Sequence, residues 1–343
     1  MFGKDFAESI IGSYSNPFLG LFTGILATSL IQSSSTTTSI VVGLAGGGIL
    51  SIEAAIPMIM GANMGTTITN TLVSLTFVTR KTDFRRAFAA ATVHDFFNMF
   101  TIIVFFPLEI FFHIIEKSAL FLTGLFEGIG GVTFTSPLKL VIDPVAKGLE
   151  HFLLDTLSLS DVVTGIIIIV IAVAVIISSL IFIVKILRSV TINQTESFID
   201  KYLFRNTLTC LLLGMVLTAV VQSSSVTTSL IVPLVAAGVI GLNRAYPFTL
   251  GANIGTTVTA ILASLATVSA VDSQTSNTIG VTVAFTHLLF NIFGVAIFLP
   301  LRKLPMFCAT RLANFAADSK KWAIIFIIMI FYVLPLVIVL LAR

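Results

Sequence analysis

The chain has 343 residues, of which 56% are hydrophobic and only 10% are charged. A soluble domain carries about a quarter charged residues, so this composition excludes an ordinary soluble protein and predicts a polytopic, all-α membrane protein. The net charge of +3 does not indicate a nucleic-acid partner, because Lys and Arg cluster at the ends of apolar segments, and the two cysteines do not have metal-site spacing.

The first predicted element is an apolar region interrupted by eight polar residues, Gln32 to Ser39. The limb from Gly20 to Ile31 makes about 18 Å of helix, which is too short for a hydrocarbon core about 30 Å thick. An open backbone at that depth is tolerated only where it is buried in protein or lines a wet cavity. We therefore expect a re-entrant helical hairpin over 18–50, with "QSSS" at its tip and facing a site. No signal peptide is expected in front of it.

The next segment, 54–78, is long enough to span the membrane, but "GANMGT" interrupts it. Gly61 and Gly65 weaken a helix at that point, so we predict a broken helix whose ends expose N–H and C=O groups to ions. A spanning helix is expected at 87–108. The middle of the chain is then expected to form surface helices outside the membrane at 109–160, a connecting spanning helix at 162–187 and a cytoplasmic linker at 188–205.

The same pattern returns 190 residues later, and this repeat is the strongest signal in the sequence. Gly24 to Leu75 align without a gap with Gly214 to Leu265, and 24 of the 52 pairs are identical. After a slip of three residues, "HDFFN" at His94 matches "HLLFN" at His287. The chain is accordingly divided into a first copy (1–108), a middle segment (109–204), a second copy (205–301) and a C-terminal part (302–343). The later elements expected are a hairpin at 207–241 and a helix at 245–268 that is broken at Gly251 to Thr257. A spanning helix at 278–301, a cytoplasmic loop at 302–321 and a last spanning helix at 322–341 follow.

The two copies are predicted to be inverted. The loop at 79–86 contains four basic residues, whereas its counterpart, Val268 to Thr278, contains none. Short loops rich in Lys and Arg stay in the cytoplasm, and three predicted crossings separate the "QSSS" stretches, so the second copy is turned over. Inverted repeats are typical of secondary transporters, whose site lies near the midplane. The two tips are expected to meet there, with 79–86, 188–205 and 302–321 cytoplasmic and 109–160 outside.

The charge distribution indicates the class of ligand. Glu53 is the only charged residue from Gly24 to Thr79, and there is none from Asn206 to Asn243. Hydroxyl and amide groups both donate and accept hydrogen bonds, so they can bind a small oxyanion and a hard cation. An oxyanion without a basic partner is costly to bury, and bound cations offset that cost. Oxygen-rich surroundings favour an alkali cation, which predicts a cation-coupled carrier of a small oxyanion.

Several alternatives stay open. Ser and Thr in membrane helices also serve close helix packing, and a channel-like pore or a receptor is a rival function. An enzyme is not expected, because no nucleophile–base pair or metal cluster is present. His94 and His287 are expected to be packed, hydrogen-bonded histidines. Asp95 has Leu288 as its counterpart, and an acid at membrane depth is a functional hypothesis; the alternative is an acid that reaches solvent near a helix end.

The chain resembles the type II sodium–phosphate cotransporters over most of 16–108 and 205–301. The segments "QSSSTTTSIVV", "AAIPMIMGANMGTTITNTLVSL" and "FRRAFAAATVHDFFN" are similar to that family's first repeat, and "QSSSVTTSLIVPL" and "RAYPFTLGANIGTTVTAILASLA" to its second. The resemblance implies sodium-driven phosphate uptake by alternating access of elevator type, in the plasma (inner) membrane. It implies phosphate ligands at the tips, namely Gln32, Ser33, Ser34, Gln222, Ser223 and Ser224. It places Ser35, Asn63, Thr66, Ser225, Asn253 and Thr256 nearby as sodium or phosphate ligands. We expect sodium at these residues, and also at Asp95 because of its carboxylate.

The resemblance also implies that members with Asp at position 95 are electrogenic and those with Gly are electroneutral. The short outer segment lacks the cysteines of vertebrate members, and the termini lack their additional membrane segments, so a prokaryotic member is expected. No cofactor is expected besides sodium as the coupling ion. The expected partners are inorganic phosphate, sodium and the lipid bilayer, with a homodimer as a candidate assembly. A carrier of another oxyanion, such as sulfate, or of a dicarboxylate is the nearest rival.

Overall fold

A computed structural model describes residues 16–125, 144–145, 147–171, 174–175, 178, 204–268 and 274–341. Within these ranges the chain forms helices and no strand. The helices of the first half are α1 Pro17–Ile31, α2 Ser34–Gly46, α3 Ile52–Thr66, α4 Ile68–Leu75, α5 Lys81–Phe112, α6 Ile114–Leu125 and α7 Asp161–Ile171. Those of the second half are α8 Thr207–Val221, α9 Ser224–Ala236, α10 Leu242–Val268, α11 Gln274–Phe298, α12 Lys303–Asp318 and α13 Lys321–Leu341.

The two "QSSS" stretches each join two short helices, and the repeat holds to the residue. Helices α1 and α2 have the same bounds as α8 and α9 after the shift of 190. Asn16 and Asn206 cap the first helix of each pair with their side chains, accepting from the N–H groups of Phe18 and Thr209. At 15 and 13 residues, none of these helices has the length of a membrane span.

The predicted helix break is wrong in the second copy, whereas in the first copy the helix is interrupted one residue after "GANMGT". Helix α10 runs unbroken through Gly251 to Thr257, and α3 continues through Gly61 to Thr66, with the interruption only at Thr67. The glycines do not end the helices, because they lie against a neighbouring backbone. A Cβ at Gly65 would lie 2.7 Å from the carbonyl oxygen of Ile25 on α1, and the equivalent Cβ on Gly255 would lie 2.5 Å from that of Met215 on α8. Small residues let two helices approach this closely.

Two predicted loops are also helical. Residues 81–86 form the first turns of α5, because Lys and Arg are good helix formers and their side chains reach solvent. Most of the predicted loop at 302–321 is α12, which buries an alanine-rich face against α5. The proposed surface helix α6 packs into the core instead, with Ile115 and Ala119 fully buried. The sides of the membrane on which these segments lie remain predictions.

Three helices in the described ranges are long and apolar enough to cross a membrane: Lys81–Phe112, Thr278–Phe298 and Lys321–Leu341. They correspond to the spans expected at 87–108, 278–301 and 322–341. Of the connecting helix expected at 162–187, the structure describes α7, and much of the remainder lies outside the described residues. Each copy packs against the other: α2 contacts α10 and α11, whereas α9 contacts α4 and α5. This exchange brings the polar residues of both copies into one core.

Candidate functional site

The tips of the two helix pairs have the same unusual backbone. Gln32 and Gln222 have φ values of 57° and 56°, in the left-handed region, which is uncommon for residues other than glycine. Each glutamine donates its N–H to the carbonyl oxygen of a threonine one turn earlier, Thr28 or Thr218, and so ends the first helix. A costly conformation that occurs twice, at the point where the polar run begins, indicates a position under functional constraint.

The serines that follow begin the second helix of each pair. Ser33 and Ser223 are N-caps, and their hydroxyl oxygens accept from the N–H groups of Thr36 and Val226, both at 3.3 Å. Ser34 and Ser224 are buried, while Gln32 is exposed. The first N–H groups of α2 and α9 have no acceptor within the helix, so each tip presents a positive helix end. No hydrogen bond joins residues 32–35 to residues 222–225 in the part of the chain that is described.

The two "GAN" asparagines connect the copies. The Nε2–H group of His94 in the first copy donates to Oδ1 of Asn253 in the second, at 2.7 Å. The amide of Asn253 donates in turn to Oδ1 of Asn98, and the amide of Asn98 donates to the main-chain oxygen of Asn63, both at 2.9 Å. All four residues are at most 3% exposed.

The equivalent residues form the reciprocal contacts. Oδ1 of Asn63 accepts from Nε2 of His287 at 3.2 Å and from the amide of Asn291 at 3.3 Å. The expectation of packed, hydrogen-bonded histidines is therefore confirmed. Asn98 and Asn291 were not predicted, although the His-x3-Asn spacing places both polar residues of each pair on one helix face in both copies.

The predicted cation ligands are thus partly engaged with protein. Asn63 and Asn253 contact His and Asn side chains, while Thr66 and Thr256 donate to the carbonyl oxygens of Ala62 and Ala252 in their own helices, at 2.9 and 3.0 Å. The structure brings Asn63 and Asn253 into one buried network through Asn98. It does not join this network to the tip residues by a hydrogen bond in the described ranges.

Two polar residues make the site asymmetric. Asp95 is 1% exposed, which excludes a carboxylate that reaches solvent, and its Oδ2 accepts from Thr71 at 3.3 Å. Asn70, which was not predicted, accepts through Oδ1 from Thr228 and Ser229 of α9, at 2.9 and 3.3 Å. The counterparts of Asp95 and Asn70 are Leu288 and Ala260. The second copy therefore has neither an acid equivalent to Asp95 nor an amide equivalent to Asn70.

Several buried oxygens in this region have no hydrogen-bond partner among the described residues. They include Oδ1 of Asp95 and the hydroxyls of four threonines that form two equivalent pairs. Buried oxygens without a hydrogen-bond partner are rare in folded proteins and point to a partner such as an ion or water. The four threonines are Thr28, Thr218, Thr69 and Thr259.

A separate cluster, at the corner between α5 and α6, has a structural explanation. Glu109, His113 and Glu116 bring three potential metal ligands together. However, the carboxylate of Glu109 accepts from the N–H groups of Ile115 and Glu116, at 2.7 and 3.1 Å, and so caps α6. His113 contacts Glu116 at 2.7 Å. These contacts hold the corner without a metal ion.

The fold and the buried polar core define a helical membrane protein with an internal repeat. The chain belongs to the Na+/Pi-cotransporter family, whose model matches residues 1–134 and 175–307. Its relatives include sodium-dependent phosphate transport protein 2B of Homo sapiens, 34% identical over 98% of this chain, and protein 2A of Ovis aries, 34% identical over 94% of it. The chain spans 60% of the length of each of these two relatives. No solved structure matches it.

Proposed function

We propose that this chain takes up inorganic phosphate together with sodium, by alternating access of elevator type, and that it is not an enzyme. The observation that carries the proposal is the pair of "QSSS" tips, which have equal backbone angles and begin equal helices in the two copies. Membership in the Na+/Pi-cotransporter family supports the choice of ions. Sodium is the coupling ion, and no other cofactor is proposed.

Phosphate is proposed to bind at the tips. The ligands are the glutamine amides, the serine hydroxyls and the first N–H groups of α2 and α9, since a helix N-terminus attracts an anion. Because Ser33 and Ser223 use an oxygen lone pair for capping, they would contribute their protons. The full set is Gln32, Ser33, Ser34, Gln222, Ser223 and Ser224.

Sodium is proposed to bind beside phosphate, at buried oxygens. The uncommitted oxygens of Asp95 and the four threonines suit a hard cation, and amide oxygens can accept a hydrogen bond and still coordinate an ion. The proposed sodium ligands are Ser35, Asn63, Thr66, Asp95, Ser225, Asn253 and Thr256. A cation here offsets the cost of burying phosphate far from Lys and Arg.

Uptake into proteoliposomes tests the function directly. We expect labelled phosphate to accumulate when sodium is high outside, and to stay near background when choline replaces sodium. Excess unlabelled phosphate should compete, whereas sulfate and dicarboxylates should not. A linear, non-saturating phosphate flux without sodium dependence would support a pore instead. Competition by sulfate would indicate that the chain carries another oxyanion.

The proposal includes an inverted topology in the plasma membrane, with re-entrant helix pairs that enter from opposite sides. A cysteine in place of Thr82, which is exposed at the start of α5, is expected to react only from the cytoplasmic side. A cysteine in place of Ser273, which lies outside the described residues, is expected to react only from outside. Both are introduced after Cys210 and Cys308 are replaced by alanine. Labelling of both positions by a membrane-impermeant maleimide from one side contradicts the inversion.

Asp95 is proposed to make transport electrogenic. A buried carboxylate adds one negative charge that an additional sodium neutralises, and the counterpart Leu288 cannot do so. We expect Asp95→Gly to keep sodium-dependent uptake and to lose its stimulation by an inside-negative potassium diffusion potential. Asp83→Asn, at the start of the same helix, is the control and should keep the response. Equal stimulation of wild type and Asp95→Gly contradicts this role.

A further inference from the structure

A cavity of about 450 Å³ opens between the two copies, away from the tips. Its wall combines the start of α5, the turn after α9, the start of α10 and one face of α12. None of the described residues that line it is acidic. The polar and glycine residues of the wall are Arg85, Arg86, Gly238, Gly241, Thr310 and Asn314.

The two arginines in this wall differ from the basic residues beside them, because no carboxylate in the described part of the chain pairs with either one. Two basic residues beside them do form ion pairs. Nη1 of Arg80 lies 3.9 Å from Oδ2 of Asp83, and Nζ of Lys81 lies 2.6 Å from Oδ1 of Asp318. No ion pair within 4.0 Å is formed by Arg85 or Arg86 with the described residues. Two adjacent guanidinium groups repel each other, so a cavity that collects them without an acid favours an anion.

The backbone of the second copy shapes the cavity around Arg86. Gly238 has φ +81°, and Nη1 of Arg86 lies 2.7 Å from the position that a Cβ would occupy there. A side chain at this position would displace the guanidinium group. Glycine thus lets the guanidinium group of Arg86 lie directly against this turn, and a Cβ would require that flexible side chain to shift.

The internal repeat supplies a comparison for this arrangement. Gly238 corresponds to Gly48, which has φ +73° and no atom within 4 Å of its Cβ position. With the three-residue slip, Arg85 and Arg86 correspond to Thr278 and Ile279. The first copy thus makes the same turn with no guanidinium group against it, and the fold itself does not require the arginines.

We propose that this cavity binds a phosphate-type oxyanion, either free inorganic phosphate or the headgroup of an anionic phospholipid. The guanidinium groups of Arg85 and Arg86 make bidentate hydrogen bonds to phosphate oxygens. The amide of Asn314 and the start of α10 add further donors. This site differs from the tips, which lack basic residues, and it requires neither sodium nor transport.

Binding of labelled inorganic phosphate to the purified chain, in choline chloride without sodium, tests the free anion. Arg85→Gln/Arg86→Gln is expected to weaken binding about tenfold or more. Lys303→Gln/Arg311→Gln removes the same charge outside the cavity and should bind as wild type does. Gly238→Ala should also weaken binding, whereas Gly48→Ala, which strains an equivalent turn, should not. Equal elution profiles and melting temperatures establish that the variants are folded.

The headgroup is tested in nanodiscs of phosphatidylcholine with and without phosphatidylglycerol. If the cavity holds a lipid headgroup, phosphatidylglycerol raises the melting temperature of wild type and of the charge control, but not of the arginine variant. Binding that depends on the two arginines in either assay supports the site, and the assay in which it occurs tells whether the ligand is free phosphate or a lipid headgroup. If the arginine variant and the charge control behave alike in both assays, the site does not exist. All readouts are of binding, so a failure of sodium-coupled uptake leaves this result unaffected.

Discussion

Replacing either tip glutamine by glycine is expected to lower the rate of phosphate uptake at least about tenfold while leaving the protein folded. Gln32 and Gln222 both have left-handed backbone angles, which cost an ordinary residue about 1–2 kcal/mol and cost glycine almost nothing. Gln32→Gly and Gln222→Gly therefore relieve strain and remove only the amide side chain. An amide that binds a dehydrated anion contributes about 1.5–3 kcal/mol, so each variant should lose at least about tenfold in uptake rate at matched expression.

The corresponding alanine variants should lose uptake as well, but they retain the strained backbone and are less informative. His113 offers a matched control, because it has φ 54° at the end of α5 and is exposed. His113→Gly relieves the same kind of strain far from the tips, and its uptake should equal that of wild type. Near-normal uptake by Gln32→Gly or Gln222→Gly, in a preparation where the His113 variant is also active, rejects the paired-tip phosphate site.

Alanine at either "GAN" glycine is expected to destabilise the whole protein. A Cβ at Gly61 overlaps the carbonyl oxygen of Leu21, and one at Gly251 overlaps that of Leu211. The backbone cannot move aside as a flexible side chain can, so the helices must separate, at a cost of about 1–3 kcal/mol or more. Gly61→Ala and Gly251→Ala should each lower the melting temperature in detergent and reduce the yield of folded protein.

The control variant for this prediction should not lower the melting temperature. Gly43 lies inside α2 and has no atom within 4 Å of its Cβ position. Gly43→Ala should leave the melting temperature unchanged or raise it, because alanine is the better helix former by about 0.5–1 kcal/mol. If Gly61→Ala and Gly43→Ala shift the melting temperature equally, the close contact between α1 and α3 is not what selects glycine.

The sequence predicts local features of this fold well, because they depend on local signals. The repeat of 190 residues predicts two equivalent helix pairs, and the observed bounds of the two pairs agree to the residue after that shift. The short apolar limbs indicate the short helices. The predicted break is absent at Gly251 and falls at Thr67 rather than at Gly61 in the first copy. Intrinsic propensity favours a break at these glycines, and packing against a neighbouring backbone decides otherwise. The start of α5 at Lys81 was also missed, since a basic stretch is equally compatible with a loop and with an exposed helix turn.

The polar core illustrates what a sequence does not contain. Asn63 and His287 are separated by 224 positions, and their hydrogen bond depends on how the two copies pack. Asn70 gave no signal of its own, and its role becomes apparent only through its contacts with Thr228 and Ser229. The comparison of equivalent positions, by contrast, was informative from the sequence, because it identified Asp95 as an acid of one copy only.

The reciprocal contacts between asparagine and histidine have a consequence for how such a chain arises. Neither copy alone makes the contact between its "GAN" asparagine and a histidine, because Asn253 of the second copy pairs with His94 of the first and Asn63 of the first copy pairs with His287 of the second. The smallest self-sufficient unit is therefore two copies, whether they are fused or separate. An ancestor with one copy per gene would have had to assemble as a pair before duplication joined the halves. Once the two halves are encoded separately, as they are in this chain, one half can acquire an acid, as at Asp95, that the other half lacks.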